Sequence, residues 1–152
     1  MPLTTRREFI ERSVAAGMAC ATMPRSLAAS ERKPNPSSLK RVRVGFVGIG
    51  VKGWQHVRNL LHMEGVEMRA VCDILTEPCL RTPRACRQLG MPEPAAYTGG
   101  EYEFKRMCDQ EELDLVSTAT PWRWHVPVCL AALRSGMHAA TEIPAAIKLE
   151  DC

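Results

Sequence analysis

From Val42 onward the chain alternates short apolar runs with longer stretches whose apolar residues recur at helical spacing. Val42–Val47 is nearly all apolar, as expected of a parallel strand buried on both faces. A helix is expected over about residues 53–63, with Val57, Leu60, Leu61 and Trp54 toward its buried side. Val66–Cys72 reads as a second strand. Thr76 or Glu77 opens a second helix with Pro78 in its first turn and a stop at Gly90. Pro83 is expected to kink that helix or delay its start, because proline lacks the N–H that the helix would use. A proline- and glycine-containing loop then surrounds a short strand near Ala96 and Tyr97. Residues 101–110 follow as a helix carrying Phe104 and Met107, and residues 113–119 as a strand. Residues 126–135 form a helix with Pro127 in its first turn and Gly136 as its stop, and residues 137–141 a fifth strand. Lys148 begins a further helix. Strands alternating with helices of this length predict an α/β fold with a doubly wound parallel sheet.

The chemistry gathers where the strands end. Gly48, Gly50 and Gly53 stand in G-x-G-x-x-G spacing directly after the first strand, and Asp73 closes the second. In a dinucleotide-binding βαβ unit each glycine has a separate task. The first permits a tight turn, the second lets the backbone approach a pyrophosphate, and the third lets the helix pack close to the sheet. The phosphates meet a helix N-terminus, whose unpaired N–H groups and dipole favour negative charge. Asp73 can accept hydrogen bonds from ribose hydroxyls. It is followed by Ile74 and Leu75, so no cation awaits a 2′-phosphate, and NAD is expected rather than NADP. This is the layout of a Rossmann fold. The glycine loop, Asp73, the segment from Thr120 to His125 and Glu142 all follow strands, and so belong to one edge of the sheet.

The first residues differ in character. Residues 1–28 hold Arg6, Arg7, Arg12 and Arg25 against Glu8 and Glu11, whereas the whole chain carries a net charge of +3. The basic balance therefore lies mostly in this segment, and no basic stripe interleaved with aromatics suggests nucleic acid. Arg6-Arg7-Glu8-Phe9-Ile10 is a twin-arginine pattern, followed by a mildly apolar stretch too short to span a bilayer and by small residues before a cleavage point near Ala28. Residues 1–29 thus read as a twin-arginine signal peptide for export to the periplasm, 30–41 as a polar, proline-rich linker, and 42–152 as the nucleotide-binding domain. The seven cysteines show neither C-x-x-C nor zinc spacing, so no metal site is expected. In an oxidising compartment a disulfide would be allowed, with no pair indicated.

With these segments placed, the chain resembles the Gfo/Idh/MocA family of NAD(P)-dependent oxidoreductases, and within it the NAD-dependent glycosidase branch, glycoside hydrolase family 109. The resemblance rests on the segments from Ala119 through Thr120-Pro121-Trp122-Arg123-Trp124 to His125, from Ala140 through Glu142-Ile143-Pro144 to Ala146, and on Leu149-Glu150-Asp151-Cys152. It implies that Val51, Lys52 and Gly53 lie along the pyrophosphate and that Asp73 holds the adenosine ribose. It also implies that Trp122, Arg123, Trp124 and His125 contact NAD, with Glu142 and Ile143 near the nicotinamide. Plainer roles stand beside these: Trp122 and Trp124 as packing aromatics, His125 as a helix cap, Glu142 as a solvated loop acid. Ordinary members of the family carry E-K-P after the fifth strand, where the lysine moves a proton. Ile143 cannot, which removes the usual acid/base of simple dehydrogenation. The reaction implied by the branch is α-N-acetylgalactosaminide cleavage through transient oxidation at C3 and elimination. It needs no carboxylate pair, as in another NAD-dependent glycosidase family. Sugar dehydrogenation, or NAD binding without catalysis, remain the alternatives. The resemblance further implies a second domain that supplies the sugar site and catalytic residues. The chain is accordingly read as an N-terminal fragment with an incomplete sheet, its full-length form open to homo-oligomerisation.

Overall fold

The structure, a computed structural model, describes residues 41–151. The expected signal peptide, the linker up to Lys40, Cys20 and Cys152 lie outside the described residues. Five strands form one wholly parallel sheet in the order β3-β2-β1-β4-β5. They are β1 (Val42–Val47), β2 (Val66–Cys72), β3 (Ala95–Tyr97), β4 (Leu115–Thr118) and β5 (His138–Thr141). The helices between them are α1 (Val51–Leu61), α2 (Thr76–Gln88), α3 (Glu103–Gln110) and α4 (His125–Arg134). The chain runs outward from β1 through β2 to β3, then crosses back over α3 to β4 and β5. The order reverses beside β1, which is the switch point where ligands bind in such sheets.

Two cores separate on the two faces. One packs Val57 and Leu61 of α1 and Cys79 and Cys86 of α2 against Val44, Phe46 and Met68. The other packs Phe104 and Met107 of α3 and Val128 and Ala132 of α4 against Val47, Ala70 and Val116. A side chain such as Phe46, 1% exposed, contributes about 1.5–3 kcal/mol by its burial. A bulge decides which face the end of β2 serves. Val44 pairs with Met68, but Gly45 pairs with Ala70, so Arg69 is an extra residue. Met68 therefore joins the α1–α2 core, while Ala70 and Cys72 join the other.

Several boundaries depart from the sequence expectation. α1 begins at Val51, two residues before the third glycine, because Gly50 serves as its N-cap. α2 begins at Thr76 and runs without a break through Pro83, whose ring is buried against the core. Pro83 thus does not delay the start. Residues 122–124 form a 3₁₀ turn that leads directly into α4 at His125. Residues 149–151 form only another 3₁₀ turn. The stops at Gly90 and Gly136 match expectation. After α4 the N–H of Met137 donates to Ala132 O at 3.0 Å and that of Gly136 to Leu133 O at 3.0 Å, a Schellman closure. Cys72, Cys79, Cys86, Cys108 and Cys129 are free thiols.

Candidate functional site

The glycine loop is sewn between its neighbours. Gly48 N donates to Cys72 O at 2.8 Å, and Ala119 N to Val47 O at 3.0 Å, tying the end of β1 to the ends of β2 and β4. Gly48 has φ +88°, a left-handed conformation that L side chains rarely adopt, and a Cβ there would also meet Thr120 at 2.9 Å. A Cβ on Gly53 would fall 1.7 Å from the carbonyl oxygen of Gly48, so the helix can lie this close only because the position is glycine. Gly50 differs from both. Nothing lies within 4 Å of where its Cβ would be. It faces open space in front of the N–H groups of Val51, Lys52 and Gly53, which have no carbonyl within the helix to bond. Open space at the second glycine and steric crowding at the third are what a pyrophosphate cradle requires.

Asp73 meets this loop directly. One carboxylate oxygen accepts from Ile49 N at 2.6 Å and the other from Leu75 N at 2.9 Å. The side chain thereby fixes both the glycine loop and the turn into α2, and each oxygen retains a lone pair for a hydroxyl. Asp73 lines a cleft of about 230 Å³ along the strand ends, together with Gly48, Gly50, Thr120, Arg123 and Trp124. Ile74 and Leu75, 59% and 60% exposed, and Pro78 add an apolar wall beside Asp73. Exposed apolar side chains next to a carboxylate that can accept from ribose hydroxyls suit the face of an adenine. Sequence reasoning used Ile74 and Leu75 only to exclude a 2′-phosphate. Cys72 also lines the cleft, and burial pushes its thiol up to about 12, so it is an inert wall rather than a nucleophile.

The residues after β4 divide by position. The hydroxyls of Thr120 and Thr118 lie 2.9 Å apart, which orients Thr120 at the cleft floor. Trp122 is 60% exposed. Arg123 approaches Glu101 at 3.5 Å at the mouth of the cleft. Trp124 packs edge-on against Phe104 and Tyr102, with ring centroids 5.9 and 5.4 Å away, so it is a packing aromatic that also forms part of the cleft wall. His125 is fully buried and lies behind that wall, with no surface toward the cleft. Its Nδ1 lies 2.8 Å from Pro144 O and its Nε2 3.0 Å from Thr120 O. The ring bridges the segment after β4 to the segment after β5, and no side-chain capping bond is made. Glu142 and Ile143 follow β5 at the same edge, Ile143 with 86% exposure. Glu142 pairs with His56 of α1, a partner that nothing in the sequence pattern singled out. Val51 is 81% exposed and Lys52 also faces outward on the first turn of α1. Among the described residues no group of three His, Cys, Asp or Glu side chains is placed to hold a metal ion. No described helix is long and apolar enough to cross a membrane.

Comparison with known proteins agrees with this geometry. The chain is 37% identical over 161 residues to an α-N-acetylgalactosaminidase of Tannerella forsythia, covering 97% of this chain and 34% of that protein. It is 35% identical over 160 residues to an α-N-acetylgalactosaminidase of Shewanella oneidensis, covering 97% and 35%. The chain thus spans about a third of the length of these relatives. Among solved structures it resembles myo-inositol 2-dehydrogenase from Lactobacillus plantarum, with a TM-score of 0.61 and 26% identity over 74% of this chain and 31% of that one. The scyllo-inositol dehydrogenase of Lactobacillus casei, solved with NAD(H) and scyllo-inositol, shares the fold at a TM-score of 0.61 and 24% identity, over 74% and 31% of the two chains. Residues 42–152 match the oxidoreductase family Gfo/Idh/MocA, described as an NAD-binding Rossmann fold. The chain therefore belongs to the Gfo/Idh/MocA family, and its glycine loop and strand-end cleft are those of an NAD-binding Rossmann domain.

Proposed function

We propose that this domain is the cofactor-holding part of an exported NAD-dependent glycosidase acting on α-linked N-acetylgalactosamine. The observation that carries the reading is Ile143. An apolar, 86% exposed side chain stands beside Glu142 where sugar dehydrogenation would call for a group that exchanges protons. The similarity to two α-N-acetylgalactosaminidases over 97% of this chain supports the same reading. Bound NAD⁺ supplies a hydride acceptor that is restored within each turnover. The residues of this domain perform the holding. Gly50 and the first turn of α1 receive the pyrophosphate, and Asp73 receives the adenosine ribose. Thr120 borders the cleft past the end of β4, and Glu142 follows β5 at the same edge of the sheet. The acid/base groups and the sugar site belong to chain beyond these residues. Retention of the cofactor also suits export by the twin-arginine route, which carries proteins already folded. A periplasmic enzyme has no cytoplasmic NAD pool to draw on.

A sugar or polyol dehydrogenase is the second reading, favoured by the 26% identity to an inositol dehydrogenase. The two separate in one assay. Release of nitrophenol from a nitrophenyl α-N-acetylgalactosaminide without net NADH formation supports the glycosidase. Net NADH from a free sugar or polyol overturns it. NAD binding with neither activity, in a protein that carries the sugar site as well, identifies a binding module without catalysis.

A further inference from the structure

Two imidazoles grip the short segment that follows β5, one from each side of the sheet. His125 comes from α4 and lies 2.8 Å from the carbonyl of Pro144. His56 comes from α1 on the opposite face, and its Nε2 lies 2.5 Å from Oε1 of Glu142. The His56 ring is itself held. It stacks on Phe46 at a centroid distance of 6.3 Å and an interplanar angle of 24°. Phe46 is 1% exposed and lies beside Gly53, at the point where α1 rests on the glycine loop. The pair borders a cavity of about 320 Å³, shared with Phe46, Met63, Ser117 and Thr141, between α1 and the strands β4 and β5. His56 and Glu142 have side-chain exposures of 42% and 45%. A polar pair so open to water adds little to stability, so its consequence is the position of the carboxylate.

We propose that His56 is a positioning residue that fixes Glu142 at the nicotinamide half of the cleft and couples that segment to the pyrophosphate-binding end of α1. The inference rests on the cofactor reading above. Its geometry follows from the sheet order. Asp73 on β2 sets the adenosine side, and the glycine loop of β1 sets the pyrophosphate. The remaining half of the dinucleotide then lies over β4 and β5, where Glu142 emerges. His56 extends from the helix whose first turn meets the phosphates to the residue that meets the opposite end of the cofactor.

The test compares NAD with ADP-ribose, which lacks the nicotinamide. Both are titrated against the full chain by tryptophan fluorescence, with folding checked by circular dichroism. His56→Ala is expected to weaken NAD about 5- to 10-fold while changing ADP-ribose less than 2-fold. His56→Gln, which keeps a donor for Glu142, is expected to restore most of the NAD affinity. Adding Glu142→Ala to His56→Ala is expected to cost nothing further, because the two act as one unit. Equal weakening of NAD and ADP-ribose by both His56 variants overturns the proposal and makes the residue merely structural. Additive effects of the two alanine variants overturn it as well. Wild-type chain that binds neither ligand refutes the cofactor reading itself, and with it this inference.

Discussion

Substituting alanine at Gly50 and at Gly53 should give opposite results, although the two glycines belong to one motif. At Gly53 the added methyl would stand 1.7 Å from the Gly48 carbonyl oxygen and 2.8 Å from its carbon. Ordinary contact begins near 3.4 Å, so α1 must withdraw from β1 by more than 1 Å. The obstacle is backbone, which no rotamer change relieves. Overpacking of this kind costs about 1–3 kcal/mol, and a backbone clash belongs at the upper end. For a urea dependence of about 2 kcal/mol/M, a 3 kcal/mol loss lowers the unfolding midpoint by roughly 1.5 M. At Gly50 the methyl meets no protein atom within 4 Å, and the backbone at φ −63°, ψ −164° is open to any residue. Gly50→Ala should therefore leave the midpoint within about 0.3 M of wild type, since its cost stays near 0.5 kcal/mol or less. It would, however, intrude on the pyrophosphate. Losing one charge-assisted hydrogen bond, about 1.5–3 kcal/mol, weakens NAD roughly 10- to 100-fold. Urea unfolding and NAD titration of both variants, followed by tryptophan emission, give the four numbers required. Wild-type NAD affinity in a folded Gly50→Ala chain would show that no pyrophosphate rests there. An unchanged midpoint for Gly53→Ala would refute the close approach of α1.

Asp73→Asn is expected to weaken NAD about tenfold, because an amide cannot accept from both Ile49 N and Leu75 N and still serve the ribose. Wild-type chain should bind NAD more tightly than NADP, and the reverse order in a titration defeats the assignment of Asp73. His125→Ala should cost about 1–3 kcal/mol by removing the imidazole that bridges the Thr120 and Pro144 carbonyls, and a loss under about 0.5 kcal/mol would refute the bridge. Cys72 predicts a pH effect. Burial raises its thiol from 9.0 to about 12, so between those values the folded chain keeps a proton that the unfolded chain has lost. Stability is then full below about pH 9 and falls on the way to about pH 12, by at most about 1.4 kcal/mol per unit. Tyr97, raised from 10.0 to about 12 by burial and by its bond to Glu111, adds to the upper part of that fall. Urea unfolding of wild type and Cys72→Ala across this range should show the shallower slope in the variant, and parallel slopes would exclude the assignment.

What could be read from the chain alone was whatever local chemistry dictates. Apart from Arg43, β1 is apolar and declares no solvated face, so both sides of its inner half had to be covered, and they are. The glycine spacing needed no tertiary information, because each position is constrained by its own turn. Boundaries failed where a residue's role depended on something distant. Pro83 breaks a helix in isolation, but here it is buried within an unbroken α2. The Arg69 bulge arises from pairing with β1 and leaves no mark in the apolar pattern of β2. His125 illustrates the same limit at the site. Its place in the Trp122–His125 segment suggested a surface that faces ligand. Only the return of the chain at Pro144, after α4 and β5, reveals that both ring nitrogens are already engaged. His56 gave no signal because its partner Glu142 is remote in sequence and joined to it only through the sheet.

The position of Asp73 also bears on how this cleft holds its ligand. A carboxylate waiting for ribose hydroxyls would ordinarily lose rotamer freedom on binding, a cost of about 0.5–1.5 kcal/mol for an interface side chain. Asp73 has lost that freedom in folding, since each oxygen already accepts a backbone N–H. The same contacts brace Ile49, one residue from the turn at Gly48 and one from the cap at Gly50. Thr120 on the far wall is likewise braced, through its hydroxyl to Thr118 and its carbonyl to His125. The cleft is thus assembled before the dinucleotide arrives, with Gly48 and Gly53 fixed by steric crowding, Asp73 by bonds to backbone and the Thr120 hydroxyl by Thr118. Preorganisation of this kind chiefly slows dissociation. That property suits a cofactor retained through many turnovers better than a cosubstrate exchanged in each one. The corresponding measurement is the NAD dissociation rate. Loosening Asp73 by substitution with serine should raise that rate more than it lowers the association rate. A change confined to association would place the role of Asp73 in capture instead.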